Sequence, residues 1–382
     1  MREFQLLMIP GPTPVPPSVL REHSRPMMNH RGPEFKALQD ECIAGLKQVF
    51  QTKDDILILT CSGTGAMEAA VVNTCSPGDL VLGCSIGVFG DRFAKIASAF
   101  GAQVEKMDFE WGKAVDLNRL QERLKKDGER KIKAVLVTHN ESSTGVTNDV
   151  QAIGKVVREH GALLLVDAVS SLAAIDLKTD AWGIDIVASA SQKALMNPPG
   201  LGFVSVSERA WKAYETAKMP RFYMDIKAAK EYLERGQTPW TPALPQMFGL
   251  QVALKTILSE GLQASFDRHR RMGQAARGGV TAMGLKLFAD PAHASNTVTA
   301  IYSPAGLTPA AIRKHLLEKY SVVLAGGQQR LQDSIFRIGH MGYTSDTEVL
   351  ACLSALGTAL NELGFRADTG AALAAAGKAI SQ

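Results

Sequence analysis

Between Asp54 and Lys193 the chain alternates short aliphatic segments with helical segments, and this alternation restricts the possible folds more than any other feature of the sequence. The aliphatic segments have the length of strands, and apolar residues at helical spacing follow them. The predicted strands are 56–59, 79–83, 102–107, 132–138, 162–167 and 184–187. One predicted helix begins at Ala66, and the other predicted helices span 89–100, 117–124 and 150–160. Alternating units of this kind predict an α/β fold, with a mostly parallel sheet that is covered by helices on both faces.

The segments on either side of this region complete the predicted organisation of the chain. Residues 1–20 are rich in proline, which fixes φ and removes backbone donors, so we expect an extended, irregular N-terminal arm. We expect a large domain over 21–260 and a small C-terminal domain over 261–382. The further predicted helices are 33–50, 244–261, 265–283 and 309–320, with an alanine-rich tail at 367–382. The further predicted strands are 298–302, 322–324 and 336–338.

Composition and charge argue against several classes of protein. Hydrophobic residues make up 46% of the 382 residues and charged residues 21%, which is typical of a soluble globular protein. The net charge of +4 is small, and no block of like charge occurs, so we expect no nucleic-acid partner. No apolar run has membrane length, so we expect no membrane partner. The five cysteines form no CxxC pair, which predicts no metal site, and their odd number without a signal peptide predicts a cytoplasmic protein with reduced thiols.

Several polar residues directly follow predicted strands, and in a parallel sheet such residues meet at one edge. The glycine turn Ser62–Gly65 precedes a helix, whose free N–H groups favour an anion. Because it lacks the lysine of a Walker A loop and the spacing of a dinucleotide-binding turn, it predicts a phosphate without a nucleotide. A plain strand-to-helix turn would have a similar sequence. The loop 142–144, Asp167 and Lys193 are predicted at the same edge.

Lys193 and Asp167 are the strongest candidates for chemistry at this edge. Lys193 follows small residues and has almost no charged neighbours in sequence, and a desolvated amine of this kind can form a Schiff base with a carbonyl. Asp167 ends an apolar strand, where a carboxylate needs a cation or a donor. The alternatives are a solvated surface lysine and a carboxylate that caps the next segment. An anion-binding turn, an acid and a lysine are the set of groups that pyridoxal phosphate needs. Phe89 could stack on the ring of this cofactor or, equally well, belong to the core.

Four motifs are more specific than any of these residues alone. They are Ser62-Gly-Thr-Gly-Ala-Met-Glu-Ala-Ala70, Thr138-His-Asn-Glu-Ser-Ser-Thr-Gly-Val146, Leu164-Leu-Val-Asp-Ala-Val-Ser-Ser-Leu172, and 183–195 with Pro198-Pro-Gly200. Through them, and from Pro10 to Gly339, the chain resembles the class V aminotransferases of the pyridoxal-phosphate fold type I superfamily, and among these the alanine–glyoxylate and serine–glyoxylate (serine–pyruvate) aminotransferases. The resemblance implies a large domain with a mostly parallel seven-stranded sheet, a smaller C-terminal α+β domain and a homodimer with shared active sites.

The resemblance also implies roles for individual residues. Lys193 would form the Schiff base with pyridoxal 5'-phosphate and move the proton during catalysis, and Asp167 would pair with the pyridine nitrogen. Arg337 would bind the substrate carboxylate, whereas from its position in the sequence it could equally be a surface arginine. The remaining implied contacts are Ser142 near the ring hydroxyl, Phe89 on the ring face, Ser62, Gly63, Thr64 and Gln192 at the phosphate, and Gly11 over the substrate.

One implied contact of the phosphate departs from the family pattern. Thr241 matches a threonine that the family contributes from the neighbouring subunit. Thr238 stands where the family has a tyrosine, and Trp240 lies beside it. Either Thr238 or Trp240 could replace the tyrosine contact.

The implied activity is a two-step, ping-pong transamination between a small L-amino acid, alanine or serine, and a small 2-oxo acid, glyoxylate or pyruvate. Related members act on ureidoglycine or aminophosphonates, and these donors remain alternatives, as does a non-catalytic subunit built on the same scaffold. A cysteine desulfurase would need a reactive loop cysteine and usually a histidine before the lysine. Here Gln192 precedes the lysine, and Cys352 lies in a helical stretch.

Overall fold

The computed structural model describes residues 5–382 and contains two main β-sheets. The strands are β1 (Leu6–Met8), β2 (Asp55–Leu59), β3 (Leu80–Ser85), β4 (Gln103–Asp108), β5 (Ile132–Thr138), β6 (Asn140–Glu141), β7 (Val146–Thr147), β8 (Leu163–Asp167), β9 (Ile186–Ala190), β10 (Gly202–Val206), β11 (Val298–Tyr302), β12 (Val322–Gly326) and β13 (Ile335–Gly339). The helices are α1 (Pro17–Glu22), α2 (Pro33–Phe50), α3 (Gly63–Val72), α4 (Val88–Ala99), α5 (Leu117–Lys126), α6 (Val150–His160), α7 (Glu208–Thr216), α8 (Ile226–Glu234), α9 (Leu244–Glu260), α10 (Leu262–Ala282), α11 (Pro309–His315), α12 (Asp346–Glu362) and α13 (Thr369–Ile380).

The larger sheet has seven strands in the order β2-β10-β9-β8-β5-β3-β4. All neighbouring pairs are parallel except those of β10, which runs antiparallel to both β2 and β9. The predicted α/β fold with a mostly parallel sheet is therefore confirmed. Neither the strand β10 nor the helix α7 that follows it was predicted from the sequence.

The parallel strands bring their carboxyl ends to one edge of this sheet. Thr138 of β5 is paired in register with Asp167 of β8, which is paired in turn with Ala188 of β9. Since β2 is antiparallel to β10 and β10 is antiparallel to β9, β2 points in the same direction as β9. The glycine turn after β2 and the Lys193 turn after β9 therefore lie at the edge that the sequence predicted.

Helices cover both faces of the sheet and form two separate apolar clusters with it. The helix α2 has the predicted bounds, and its predicted apolar stripe is buried in one cluster, at Phe35, Leu38, Cys42, Leu46 and Val49. The helix α3 is buried in the other cluster through residues such as Met67 and Val71. The burial of these apolar side chains on both faces of the sheet fixes the strand ends, where the polar residues lie.

The smaller sheet has four strands in the order β1-β12-β13-β11, and it contains a segment from the beginning of the chain. Strand β1 runs parallel to β12, and Leu6 N donates to Ser321 O at 2.8 Å. The expectation of an irregular arm is therefore wrong for Leu6–Met8 and for α1, Pro17–Glu22. Leu6–Met8 contains no proline, so its N–H groups can pair, and Pro17 occupies the first turn of α1, where no donor is needed. The three-part domain division remains a prediction.

The C-terminal helices pack against the smaller sheet. The predicted helix 309–320 divides into α11 and a π-helical segment, Leu316–Tyr320. The alanine-rich tail forms α13, with Ala372 and Ala376 fully buried among the residues of α10 and α12. None of the helices within residues 5–382 combines the length and the apolar character required to cross a membrane.

The packing of β1 predicts a stability effect for Met8. Its side chain is 1% exposed in the core of the smaller sheet, so Met8→Ala should lower the free energy of unfolding by about 2–5 kcal/mol through lost burial and a residual cavity. Met27 is 63% exposed, and Met27→Ala should stay within about 0.5 kcal/mol of wild type. Urea denaturation followed by circular dichroism measures both values. Equal effects of the two substitutions would show that β1 does not pack as described.

Candidate active site

Lys193 lies in the turn that follows β9, and its amine meets the backbone of the N-terminal segment. The side chain is half-buried, and Nζ donates to Pro10 O at 2.5 Å. Burial of the amine, together with the positive charge of Arg337, lowers the pKa of Lys193 from 10.5 to about 8. The structure therefore does not show a solvated surface lysine, and a substantial fraction of this amine is neutral at mildly alkaline pH.

The N-terminal segment fits against Lys193 only because residue 11 is glycine. A Cβ on Gly11 would lie 2.6 Å from Lys193 Nζ, and its φ of +131° is one that side chains rarely adopt. The following residues bind the lysine turn directly. Thr13 Oγ1 donates to Lys193 O at 2.9 Å, and Thr13 N donates to Gln192 O at 3.1 Å.

Asp167, at the end of β8, is 3% exposed and has few partners for its charge. Oδ1 accepts from Val169 N at 2.9 Å, and Oδ2 is 3.4 Å from the Thr138 hydroxyl. Burial raises the pKa of Asp167 to about 6, and the hydrogen bond from Val169 and the charge of Lys193 offset only part of this effect. The residues that follow form a turn rather than a helix, so helix capping does not account for this carboxylate. A cation beside Asp167 would restore its ionised form.

The glycine turn brings the N-terminus of α3 against the ends of β8 and β9. A Cβ on Gly63 would lie 2.7 Å from Val169 and 3.2 Å from Ala190, so a larger residue would push the helix away from this edge. The Ser62 side chain makes no capping hydrogen bond to the helix. The Gln192 Oε1 atom is buried and has no hydrogen-bond partner among the described residues. A buried polar atom without a partner indicates a site for a polar ligand.

Phe89 and Arg92 lie on the first turns of α4 and face the same site. Phe89 is half-buried and belongs to none of the apolar core clusters, so the core interpretation does not hold. The guanidinium carbon of Arg92 lies 4.8 Å from the centre of the Phe89 ring. Arg92 also donates through Nη1 to Thr64 Oγ1 at 3.3 Å, and its charge lowers the pKa of Lys193. Sequence reasoning missed Arg92, although it lies one helical turn after Phe89.

Arg337 is buried on β13 and binds the loop that carries Ser142. Its Nη1 donates to Ser142 O at 2.7 Å, and its Nε donates to Gly326 O at 2.9 Å. Burial lowers the pKa of Arg337 to about 10, and the charge of Glu141 opposes this effect. The surface-arginine alternative is wrong, because the side chain is enclosed. Its Nη2 donors have no acceptor among residues 5–382, and a carboxylate matches their geometry.

Glu141 is a second residue that sequence reasoning missed. Its side chain is fully buried, and its carboxylate accepts hydrogen bonds from Phe89 N, Gly90 N and both the amide and the hydroxyl of Ser143. A Cβ on Gly87 would lie 2.5 Å from this carboxylate, so only glycine permits the approach. Burial raises the pKa of Glu141 to about 7. The sequence signal was an acid within an otherwise uncharged loop after an apolar strand.

Thr241 is not brought to the other candidate residues within this chain. It is exposed, and Thr238, three residues earlier in the chain, donates to Trp240 O at 2.7 Å. Trp240 stacks on Tyr223 with a ring separation of 5.8 Å and lines a cavity with Thr60 and Thr238. The proposed contact of Thr241 with a neighbouring subunit, and the question of which residue replaces the family tyrosine, stay predictions.

Comparison with known proteins identifies the family of the chain. The family model "Aminotransferase class-V" matches residues 10–329. The chain is 44% identical to a soluble hydrogenase 42 kDa subunit of Anabaena cylindrica, over 100% of both chains. It is 36% identical to an L-aspartate–glyoxylate aminotransferase of Paracoccus denitrificans and 37% identical to a serine–glyoxylate aminotransferase of Methylorubrum extorquens, in each case over 97% of this chain and 94% of the relative. The crystal structure of the ureidoglycine–glyoxylate aminotransferase of Bacillus subtilis superposes with a TM-score of 0.94 at 30% identity, over 100% of this chain and 99% of that one.

The protein belongs to the class V aminotransferase family and has the fold type I architecture. It is an aminotransferase that depends on pyridoxal phosphate. The residues described above fit this cofactor. The amine of Lys193 is enclosed, Asp167 is buried without a full counter-charge, and the buried Gln192 Oε1 has no partner among the described residues.

The charges around Lys193 predict a specific pH dependence. When pyridoxal phosphate is added to protein freed of cofactor, covalent attachment to Lys193 should become faster as the amine loses its proton, with a midpoint near pH 8 rather than 10.5. Arg337→Gln should raise this midpoint, because a positive charge that disfavours the protonated amine is removed. Asp167→Asn should lower it, because a negative charge that favours the protonated amine is removed. Stopped-flow absorbance across pH measures the midpoints, and shifts in the same direction would contradict this electrostatic account.

Proposed function

We propose that the protein transfers the amino group of a small L-amino acid, alanine or serine, to a small 2-oxo acid, glyoxylate or pyruvate, in a ping-pong reaction. The observation that carries the proposal is the enclosed amine of Lys193, whose pKa responds to both the carboxylate of Asp167 and the guanidinium of Arg337. The backbone of Pro10 and Gly11 lies directly against that amine, which favours a substrate with a short side chain.

Each of these residues has a distinct proposed task. When bound, pyridoxal phosphate supplies an aldehyde for the amino group and a ring that accepts the electron pair released at the substrate Cα. Lys193 holds the cofactor before the substrate arrives and afterwards takes and returns the Cα proton, for which a pKa of about 8 is well matched. Asp167 keeps a protonated ring nitrogen charged. Arg337 binds the substrate carboxylate through two parallel hydrogen bonds.

The surrounding residues hold the cofactor in this proposal. The turn residues Ser62, Gly63 and Thr64, together with Gln192, bind the phosphate, since they supply helix N–H groups, hydroxyls and an amide. Phe89 would stack on the face of the ring, and Ser142 would contact its hydroxyl group. Gly11, which lies against the Lys193 side chain, would cover the substrate.

The named relatives support the acceptor more strongly than the donor. Glyoxylate occurs in the names of the three aminotransferases compared above, whereas aspartate, serine and ureidoglycine differ among them. Ureidoglycine and aminophosphonates therefore remain alternative donors. The relative that is named as a hydrogenase subunit keeps open an additional role in an assembly. The complete set of Lys193, Asp167 and Arg337 supports catalysis.

The proposed assembly is a homodimer with shared active sites, located in the cytoplasm. Thr241 is exposed beside the aromatic residues Phe222, Tyr223 and Trp240, and Phe222 is 75% exposed. An apolar surface next to a residue that is proposed to reach the neighbouring active site supports this dimer. The five cysteines are free thiols, which supports a reducing compartment.

An absorption spectrum of the purified protein with its cofactor tests the reaction. We expect a visible band from the cofactor attached to Lys193, loss of that band with L-alanine or L-serine, and its return with glyoxylate. Lys193→Ala should lack the covalent band, whereas Lys212→Ala, at an exposed lysine of α7, should keep it. A band that neither amino acid changes would contradict the proposed donors and direct the test to ureidoglycine, aminophosphonates and aspartate. If no band formed even with added cofactor, the proposed role of Lys193 would be wrong.

A further inference from the structure

We propose that Arg92 binds the phosphate group of the cofactor and supplies the positive charge that the glycine turn lacks. This inference rests on the proposed use of that turn as the phosphate site, and it does not depend on the identity of the amino-acid substrate. It adds a charged residue to a site whose other proposed members, Ser62, Gly63, Thr64 and Gln192, are neutral.

The guanidinium of Arg92 is oriented by two contacts. Its guanidinium carbon lies over the ring of Phe89, 4.8 Å from the ring centre. Its Nη1 donates to Thr64 Oγ1 at 3.3 Å, which places a charged donor at the first turn of α3. A guanidinium has five N–H donors, so donors remain for an anion that binds at the same helix end.

The hydrogen bond to Thr64 also directs the threonine hydroxyl. A hydroxyl group has one proton, and Thr64 Oγ1 is already an acceptor for Arg92. Its proton is therefore available for a second acceptor. A phosphate oxygen on the N–H groups of α3 would accept from Thr64 and Arg92 together, and both bonds would be stronger than those between neutral groups.

The charge of Arg92 has no carboxylate partner in the part of the chain described, residues 5–382. The adjacent acid, Asp91, accepts from Lys106 at 2.8 Å and from Ser85 at 2.7 Å instead. A half-buried guanidinium without an anion carries a desolvation cost that a phosphate dianion would offset. The positive charge of Arg92 also acts on Lys193 and Asp167, so it lies within the same site.

A different role for Arg92 would be to hold the Phe89 ring in place without touching the phosphate. The two roles differ in what they require of the ligand. A residue that orients Phe89 should affect any ligand that places a ring against it, whether or not that ligand carries a phosphate. A residue that binds phosphate should affect only phosphorylated ligands.

Two vitamers without an aldehyde separate these roles, because neither can bond covalently to Lys193. Protein freed of cofactor is titrated with pyridoxine 5'-phosphate and with pyridoxine, and dissociation constants are measured by calorimetry for wild type, Arg92→Gln and Arg92→Lys. Arg92→Gln should weaken binding of the phosphate ester about 10- to 100-fold, as loss of a hydrogen bond to a charged group predicts. Binding of pyridoxine should change by less than about threefold. Arg92→Lys should recover part of the loss, because the charge is retained.

Arg119→Gln is the matched control. Arg119 lies over the ring of Phe109 at 4.7 Å, which is the same type of contact, but it is exposed on α5 and outside the candidate site. It should leave both dissociation constants unchanged. Circular dichroism spectra and melting curves of all variants establish that each is folded before titration.

Several results would overturn the inference. Equal weakening of pyridoxine 5'-phosphate and pyridoxine in Arg92→Gln would assign Arg92 to the orientation of Phe89. An unchanged affinity for the phosphate ester would show that Arg92 does not reach the phosphate, and failure of wild type to prefer the ester would remove the phosphate site itself. Because no amino acid takes part in the titration, a wrong substrate in the proposed function would leave the outcome unaffected.

Discussion

The contact between the amine of Lys193 and the backbone of Pro10 joins the two sheets of the molecule at the candidate active site. Lys193 belongs to the turn after β9 of the larger sheet, whereas Pro10 follows β1 of the smaller sheet. The contact requires glycine at position 11, and the bonds of Thr13 to the lysine turn strengthen it. The amine is therefore enclosed by a segment far away in sequence, and this enclosure lowers its pKa. Packing of β1 against β12 and the chemistry of the amine are thus parts of one arrangement.

The charged groups around this contact are incompletely compensated, which distinguishes an active site from a group of stabilising ion pairs. Burial raises the pKa values of both Asp167 and Glu141 and lowers those of Lys193 and Arg337. A stabilising ion pair would shift these values in the opposite directions, toward the charged forms. The fold tolerates this cost because apolar clusters on both faces of the larger sheet hold the strand ends in place. Shifts of this kind concentrate where a protein binds charged ligands or transfers protons.

The sequence allowed most of the alternating elements and the edge of the larger sheet to be predicted, because both depend on local pattern. Asp167 and Lys193 follow apolar strands, and the rule that parallel strands end at one edge places them together without any tertiary information. Arg337 could be chosen only through resemblance, because its strand is far away in sequence and has no distinctive pattern. The strand β1 was not predicted, since only its pairing with Val322–Leu324 distinguishes it from a loose arm.

Glu141 and Arg92 were missed for a different reason. Each acts through a contact between two segments that follow different strands: Glu141 with the N-terminus of α4, and Arg92 with the first turn of α3. Such contacts depend on the order of strands in the sheet, which the alternating pattern does not specify. The same order makes β5 a neighbour of both β3 and β8, so the loop after β5 can reach the helix after β3.

This loop links the proposed binding of the cofactor ring to the proposed binding of the substrate. Glu141 holds the first N–H groups of α4, on which Phe89 lies, while the next residue, Ser142, accepts from Arg337 through its carbonyl. A carboxylate at a helix N-terminus stabilises the helix in its ionised form. Because burial raises the pKa of Glu141 to about 7, that interaction weakens when Glu141 takes up a proton below this pH. The position of Phe89 and the position of Arg337 therefore both depend on two consecutive residues, so a disturbance at Glu141 would be transmitted to both.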